Sequence, residues 1–251
     1  MKGLLYKEFF LGRKNYLAFL VLFFVFALLG ALVCLSMICG NLRSLPEKEP
    51  ESVQLLTCIF TYVPYALALL AVFSGSQSVY SDYASGFMKF SYTLPVKAVK
   101  SVGARYLTGM IVSGTGVLLG IANAGIISTL TEIPLQAEAF KNMLVIFFLV
   151  AVLFAGELPL ALKFKSSKAV SGIAVCFIVS VYLVAGGLFI NGMNQFETSP
   201  GEDAESLYLQ TVLHKYAEIR DILLPFLPVA LLAILGISFF TSVKIYKRRE
   251  K

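Results

Sequence analysis

"YLAFLVLFFVFALLGALVCLSMICG", residues 16–40, contains no charged side chain. At about 1.5 Å of rise per residue it makes a helix of about 37 Å, long enough to cross a hydrocarbon layer of roughly 30 Å. Four further runs are equally free of charge: Val53–Ser81, Tyr106–Thr131, Ala169–Phe196 and Ile222–Val243. A sixth, Asn142–Leu162, is interrupted only by Glu157. In hydrocarbon the backbone polar groups of a segment must be satisfied internally, so runs of this length are expected as helices. The expected fold is an all-α membrane protein. Residues 1–251 form a single transmembrane domain with six spans, at about 16–40, 55–80, 106–130, 142–162, 169–191 and 222–243.

Composition leads to the same solvent. Hydrophobic residues make up 58% of the 251 and charged residues 14%, where soluble domains have about 25% charged. A soluble domain so composed lacks the polar side chains to cover its outside.

With six spans both termini lie on one side. That side holds Lys2, Lys7, Arg13, Lys14, Lys89, Lys97, Lys100, Arg105, Lys163, Lys165, Lys168, Lys244, Lys247, Arg248, Arg249 and Lys251. The other holds only Arg43, Lys48, Lys141, Lys215 and Arg220 of the 21 Lys and Arg. The positive-inside rule therefore puts both termini in the cytoplasm, and the expected location is a bacterial cell membrane crossed several times. The net charge of +6 is a basic inner face set against an acidic outer one. It suits anionic lipid or a cytoplasmic protein, and nucleic acid is not an expected partner. Tyr16, Tyr80, Tyr106 and Tyr246 stand at cytoplasmic span ends, where an amphipathic ring suits the headgroup layer.

The first run exceeds the 7–15 residues of a signal-peptide core and closes without a small-x-small site, so it is expected as a permanent span. Cys34, Cys39, Cys58 and Cys176 fall inside spans with no C-x-x-C pair and read as small hydrophobes. No G-x-x-x-x-G-K-[ST] occurs; "GTGVLLG" at 114–120 has the glycines without the lysine and lies in a span, where it packs helices. The only histidine, His214, is outside the spans, and a lone membrane carboxylate cannot form a dyad, so an intramembrane protease is disfavoured. No catalytic residue, metal or cofactor is expected in this chain.

Outside, 41–52 and 132–141 are short acidic links. The segment 197–221 is longer: Leu209, Val212, Leu213, Tyr216 and Leu223 recur at helical spacing, an amphipathic helix on the outer surface before the last span. It either caps the bundle or forms a gate. Inside, "MKGLLYKEFFLGRKN" pairs Leu4, Leu5, Phe9 and Leu11 with Lys2, Lys7, Arg13 and Lys14, an interfacial elbow helix too short to span. In "DYASGFMKFSYTLPVKAVKSVGAR", residues 82–105, Tyr83, Phe87, Phe90 and Leu94 stand at i, i+4, i+7 and i+11. That is one stripe of a short helix, with Asp82 near its start where an acid suits the dipole. Gly86 permits close backbone approach, and Pro95 ends the helix after Leu94. Such aromatic surface on a cytoplasmic connector suits docking on a soluble partner.

The start "MKGLLYKEFF", Asp82 followed four residues later by Gly86 and then by Leu94-Pro95 and basic residues, and "ELPLALKFKSSKA" at 157–169 together resemble the type-two ATP-binding-cassette exporter permeases. Within that family the chain is most similar to the small permeases that export amphipathic peptides, such as phenol-soluble modulins. The resemblance covers the whole chain in topology. It implies that 82–95 is a coupling helix seated in a groove of a separate ATP-binding subunit. Asp82, Tyr83, Gly86, Phe87, Phe90, Leu94 and Pro95 then form the coupling segment, with the elbow helix of Lys2, Lys7 and Phe9 beside it. Two permeases, as homodimer or heterodimer, and two ATPases make the working unit, with ATP and Mg held by the partner. One departure is that Ser166 and Ser167 follow Lys165, where the family often has Gly. Gly109, Gly116, Gly120 and Gly125 offer close-contact faces for a second copy.

A carboxylate in mid-span costs on the order of 2.5–3.5 kcal/mol, so Glu157 is expected to face a cavity, a partner helix or water. Pro159 loosens the backbone bonding beside it. The two are the candidate substrate path or gate; the alternative is a structural pairing of Glu157 with Lys163 or Lys165. The expected function is export of amphipathic or hydrophobic peptides by alternating access. The alternatives are a peptide-binding immunity or scaffold protein that does not transport, and an exporter of drugs or lipids.

Overall fold

The computed structural model describes residues 2–40, 50–87, 97–131, 137–164, 215 and 217–250. Among them every regular element is helical: α1 (Lys2–Cys39), α2 (Pro50–Leu70), α3 (Ser74–Ala84), α4 (Ala98–Thr131), α5 (Ala137–Phe164) and α6 (Leu227–Glu250). A 3-10 turn, Ala71–Phe73, joins α2 to α3. Another, Leu224–Phe226 at Pro225, leads helical residues 217–223 into α6. Five helices are long and apolar enough to cross a membrane: Lys2–Cys39, Leu56–Ala84, Ala98–Thr131, Ala137–Phe164 and Ala217–Arg248. They correspond to five of the six expected runs. The remaining run, 169–191, lies outside the described residues, as do Leu209, Val212, Leu213 and Tyr216 of the outer helix.

The elbow is not a separate element. α1 runs unbroken from Lys2 to Cys39, so the basic segment prolongs the span instead of turning along the interface. The reason lies in α3, which runs antiparallel beside it. Asn15 donates to Gln77, Glu8 accepts from Ser78, and Lys7 reaches Asp82. These three contacts, at residues 7, 8 and 15 of α1, hold the segment in line with the rest of the helix.

α2 packs on α4, α1 on both, and α5 on α6. Two prolines inside spans show how the bundle is joined. Pro64 has no N–H to offer the carbonyl of Phe60, and Nδ2 of Asn123 on α4 donates to that carbonyl at 2.9 Å. Pro159 deprives the Ala155 carbonyl in the same way, and the Ser238 hydroxyl of α6 donates to it. In hydrocarbon a freed carbonyl needs a partner of this kind from a neighbouring helix.

The glycines of α4 serve contacts within the chain. A Cβ on Gly109 would stand 2.5 Å from Cζ of Phe154, one on Gly116 3.1 Å from the Ala68 backbone, and one on Gly120 inside the Tyr65 ring. Only Gly125 of the four has nothing within 4 Å. The expectation that all four offer faces to a second copy is therefore corrected for three of them. The tyrosines also turn inward. Tyr106 and Tyr246 are buried, and the Tyr106 hydroxyl lies 2.5 and 3.2 Å from the hydroxyls of Ser238 and Ser242. For Tyr106 the predicted place in the headgroup layer gives way to partners one turn apart on α6. The large apolar residues left exposed, such as Leu17, Val21, Phe24 and Leu28 of α1, suit lipid as solvent.

Candidate functional site

One end of the bundle is organised around the close of α3. After the 3-10 turn at Ala71–Phe73 no proline interrupts the second span before Gly86, and the helix continues through Asp82 and Tyr83 to Ala84. Gly86 then adopts φ +73° and stops it, a left-handed conformation that only glycine takes at little cost. Nothing stands within 4 Å of a Cβ built there, so the glycine is needed for its φ and not for close approach. The helix expected to begin at Asp82 thus ends two residues after it. Phe90, Leu94 and Pro95 lie outside the described residues.

An acid in the last turn of a helix opposes the helix dipole, and Asp82 is stabilised there by tertiary cations. Its Oδ2 accepts from Lys7 Nζ at 2.6 Å and from Arg105 Nη2 at 2.9 Å. Arg105 Nε reaches Glu8 Oε1 at 3.3 Å, Ser78 donates its hydroxyl to Glu8 Oε2, and Lys7 stands 3.9 Å from Glu8. Glu8, Asp82 and Arg105 are exposed by only 5%, 3% and 2%. Two cations and two carboxylates form a neutral, buried quartet that ties α1, α3 and α4 together. Asp82 therefore faces inward, with its carboxylate engaged by Lys7 and Arg105 of this chain.

The turn after the quartet is fixed from two further directions. Lys7 Nζ sits 4.2 Å above the centroid of the Phe87 ring, a cation–π contact. The Tyr83 hydroxyl donates to the Leu162 carbonyl at the end of α5 at 3.2 Å. Phe9 packs against the core, and Lys2 is exposed at the start of α1. The structure thus gathers Lys7, Asp82, Tyr83, Gly86 and Phe87 in one place.

Glu157 is half-buried within two turns of the end of α5, within electrostatic reach of Tyr80. Lys163 stands 5.3 Å over the Phe164 ring, and Lys165 lies outside the described residues. The backbone disruption at Pro159 is repaired by Ser238.

A second polar cluster closes the opposite end. Arg220, 4% exposed, pairs with Glu138, lies 2.9 Å from Asp221 Oδ1, and donates to Asn142 Oδ1 at 2.8 Å. Lys141 bridges Glu138 and Asp221 at 2.8 Å each, and Asn142 reaches the Tyr62 hydroxyl at 3.3 Å. α5, the start of the last span and α2 are joined there. No group of His, Cys, Asp and Glu able to hold a metal occurs among the described residues.

Glu8, Ser78 and Arg105 were not singled out by the sequence. A signal for them exists: the segments expected on the cytoplasmic side carry only three acids, Glu8, Asp82 and Glu250, and two of them enter the quartet.

Long apolar helices with their charges gathered into networks at the two ends define a multi-pass membrane protein. A family model described as ABC-2 family transporter protein matches residues 52–247. The chain belongs to this family, the membrane permeases of ATP-binding-cassette transport. The matched range excludes α1, which supplies Lys7 and Glu8. No curated protein and no solved structure matches the chain.

Proposed function

We propose that this chain is the permease subunit of an exporter driven by a separate cytoplasmic ATPase, and that it moves amphipathic or hydrophobic peptides outward by alternating access. The observation that carries this reading is the buried quartet beside the turn at Gly86. A partner that grips the segment from 82 to 95 and moves with its nucleotide state displaces Asp82. Through Arg105 and Lys7 that displacement is shared by α4 and α1, so a local pull becomes a motion of three helices. Family membership supports an ATP-binding partner, and sixteen of 21 Lys and Arg on one side support cytoplasmic termini in a bacterial cell membrane. The peptide substrate and a second permease copy rest on the resemblance of the sequence to peptide exporters.

The test is co-expression with a cognate ATPase, followed by uptake of a fluorescent amphipathic peptide into inverted vesicles. ATP-dependent uptake, lost with a hydrolysis-defective ATPase, is the expected result. Peptide binding with no co-purifying ATPase would show an immunity or scaffold protein, and ATP-driven flux of dyes or lipids without peptide would transfer the substrate class. In the same assay Glu157→Gln separates roles: normal uptake with reduced assembly removes Glu157 from the substrate path.

A further inference from the structure

The last turns of α6 present two unlike faces. One is held inside the bundle, where Ser242, Val243 and Tyr246 are buried. The other carries Phe240, Lys244, Lys247 and Arg248, whose spacing puts them on one side of the helix. All four are exposed, Phe240 by 73%. With Val243 they line an open cavity of about 390 Å³, in the size range of small-molecule sites. From Phe240 to Arg248 it follows the helix for about 12 Å and straddles the end of the uncharged run Ile222–Val243. Elsewhere in the bundle Lys7, Arg105, Lys141 and Arg220 each pair with carboxylates. Among the described residues Lys244, Lys247 and Arg248 meet none. Like charges three and four residues apart on one helix repel, and a bound anion removes that cost.

We propose that this face binds the phosphate of an anionic glycerophospholipid, with the start of its acyl chain against Phe240. The cavity joins an apolar ring inside the spanning run to three cations just beyond it, and a lipid with an anionic head has its groups in the same order. An acidic protein surface would satisfy the cations but leave Phe240, at hydrocarbon depth, untouched. The Lys244 and Lys247 ammonium groups donate to the phosphate oxygens, and the Arg248 guanidinium takes two oxygens at once. A zwitterionic headgroup brings a cation of its own, which three unpaired cations repel. Burial of Tyr246 fixes the rotation of α6 and so keeps the basic face outward. The site follows from the end of the span alone and stands whether or not the chain exports peptides.

The full-length protein in detergent is titrated with phosphatidylglycerol or with phosphatidylcholine of the same acyl chains, and bound lipid is counted by native mass spectrometry. Tighter retention of phosphatidylglycerol is expected. Lys244→Gln, Lys247→Gln and Arg248→Gln should each weaken it about fivefold, the scale of one cation at an anionic membrane surface, and the triple variant about a hundredfold. All three side chains are exposed, so the melting midpoint should stay at the wild-type value. Lys14→Gln, which removes an exposed cation elsewhere, should leave affinity within about twofold. Equal affinity for the two lipids would overturn the anionic headgroup, and an equal loss in Lys14→Gln would overturn the site in favour of diffuse surface charge. Displacement of the lipid by millimolar inorganic phosphate would make the occupant a free anion. A triple variant that keeps the lipid but no longer co-purifies with an ATPase subunit would make the face a protein contact, and the proposal would fall.

Discussion

Replacing Arg105 by glutamine removes the cation that hydrogen-bonds both buried carboxylates of the quartet. Glu8 and Asp82 are then left to Lys7, 2.6 Å from Asp82 but 3.9 Å from Glu8. Removing one partner of a buried ion pair costs about 3–5 kcal/mol, because the remaining charge has lost both its partner and its water. Lys7, with its side chain 25% exposed, keeps one side of the quartet open to solvent, so the lower end of that range, about 3 kcal/mol, is expected. For a chain of this size each kcal/mol moves the melting midpoint by about 2–4 °C, giving a fall of about 6–12 °C. The assay is thermal unfolding of the purified protein in detergent. Adding Glu8→Gln to Arg105→Gln restores neutrality and leaves the Lys7–Asp82 pair intact, so the double variant should melt above Arg105→Gln alone. An Arg105→Gln protein that melts with the wild type, or a double variant below the sum of the two singles, would refute the closed charge unit.

Gly120→Ala is expected to destabilise by about 1–3 kcal/mol through overpacking against Tyr65, while Gly125→Ala, with open space around it, should stabilise by about 0.5–1 kcal/mol through helix propensity; both are read as melting shifts. Ser238→Ala should cost about 1–3 kcal/mol by stranding the Ala155 carbonyl, and adding Pro159→Ala, which returns a backbone N–H at that place, should recover most of the loss. Gly86→Ala should cost about 1–2 kcal/mol for its left-handed φ, with Gly86→Asn intermediate, and in the vesicle assay the loss of uptake should follow the same order.

The spans were legible because length and absence of charge are local properties of the chain. The end of α3 was not. An acid at Asp82 signals a helix start on dipole grounds, and only the tertiary approach of Lys7 and Arg105 makes it tolerable near a helix end. Arg105 reads as an ordinary inner-loop cation, since nothing within four residues of it announces Glu8, which is 97 positions away. Pro159 reads as a gate for a related reason: its carbonyl partner is a serine on another helix, indistinguishable in sequence from any hydroxyl in an apolar run. The glycines of α4 announce close contact, but whether the group that fills a notch belongs to this chain, as at Gly109, Gly116 and Gly120, or to another is a property of the fold.

In lipid, apolar contact does not choose a register, because acyl tails are as good a neighbour for leucine as another leucine is. A helix such as α1, rich in Leu, Phe and Val, gains little by sitting at one height on α3 over a height one turn, 5.4 Å, away. What discriminates is polar: Asn15 with Gln77, Glu8 with Ser78, and Lys7 with Asp82 are satisfied together in one register and stranded in the next. Buried ion pairs are poor sources of net stability compared with well-packed apolar groups, so the quartet is better understood as fixing height and angle. On the function proposed above the turn at Gly86 and Phe87 is a lever, and a lever is only as accurate as its pivot.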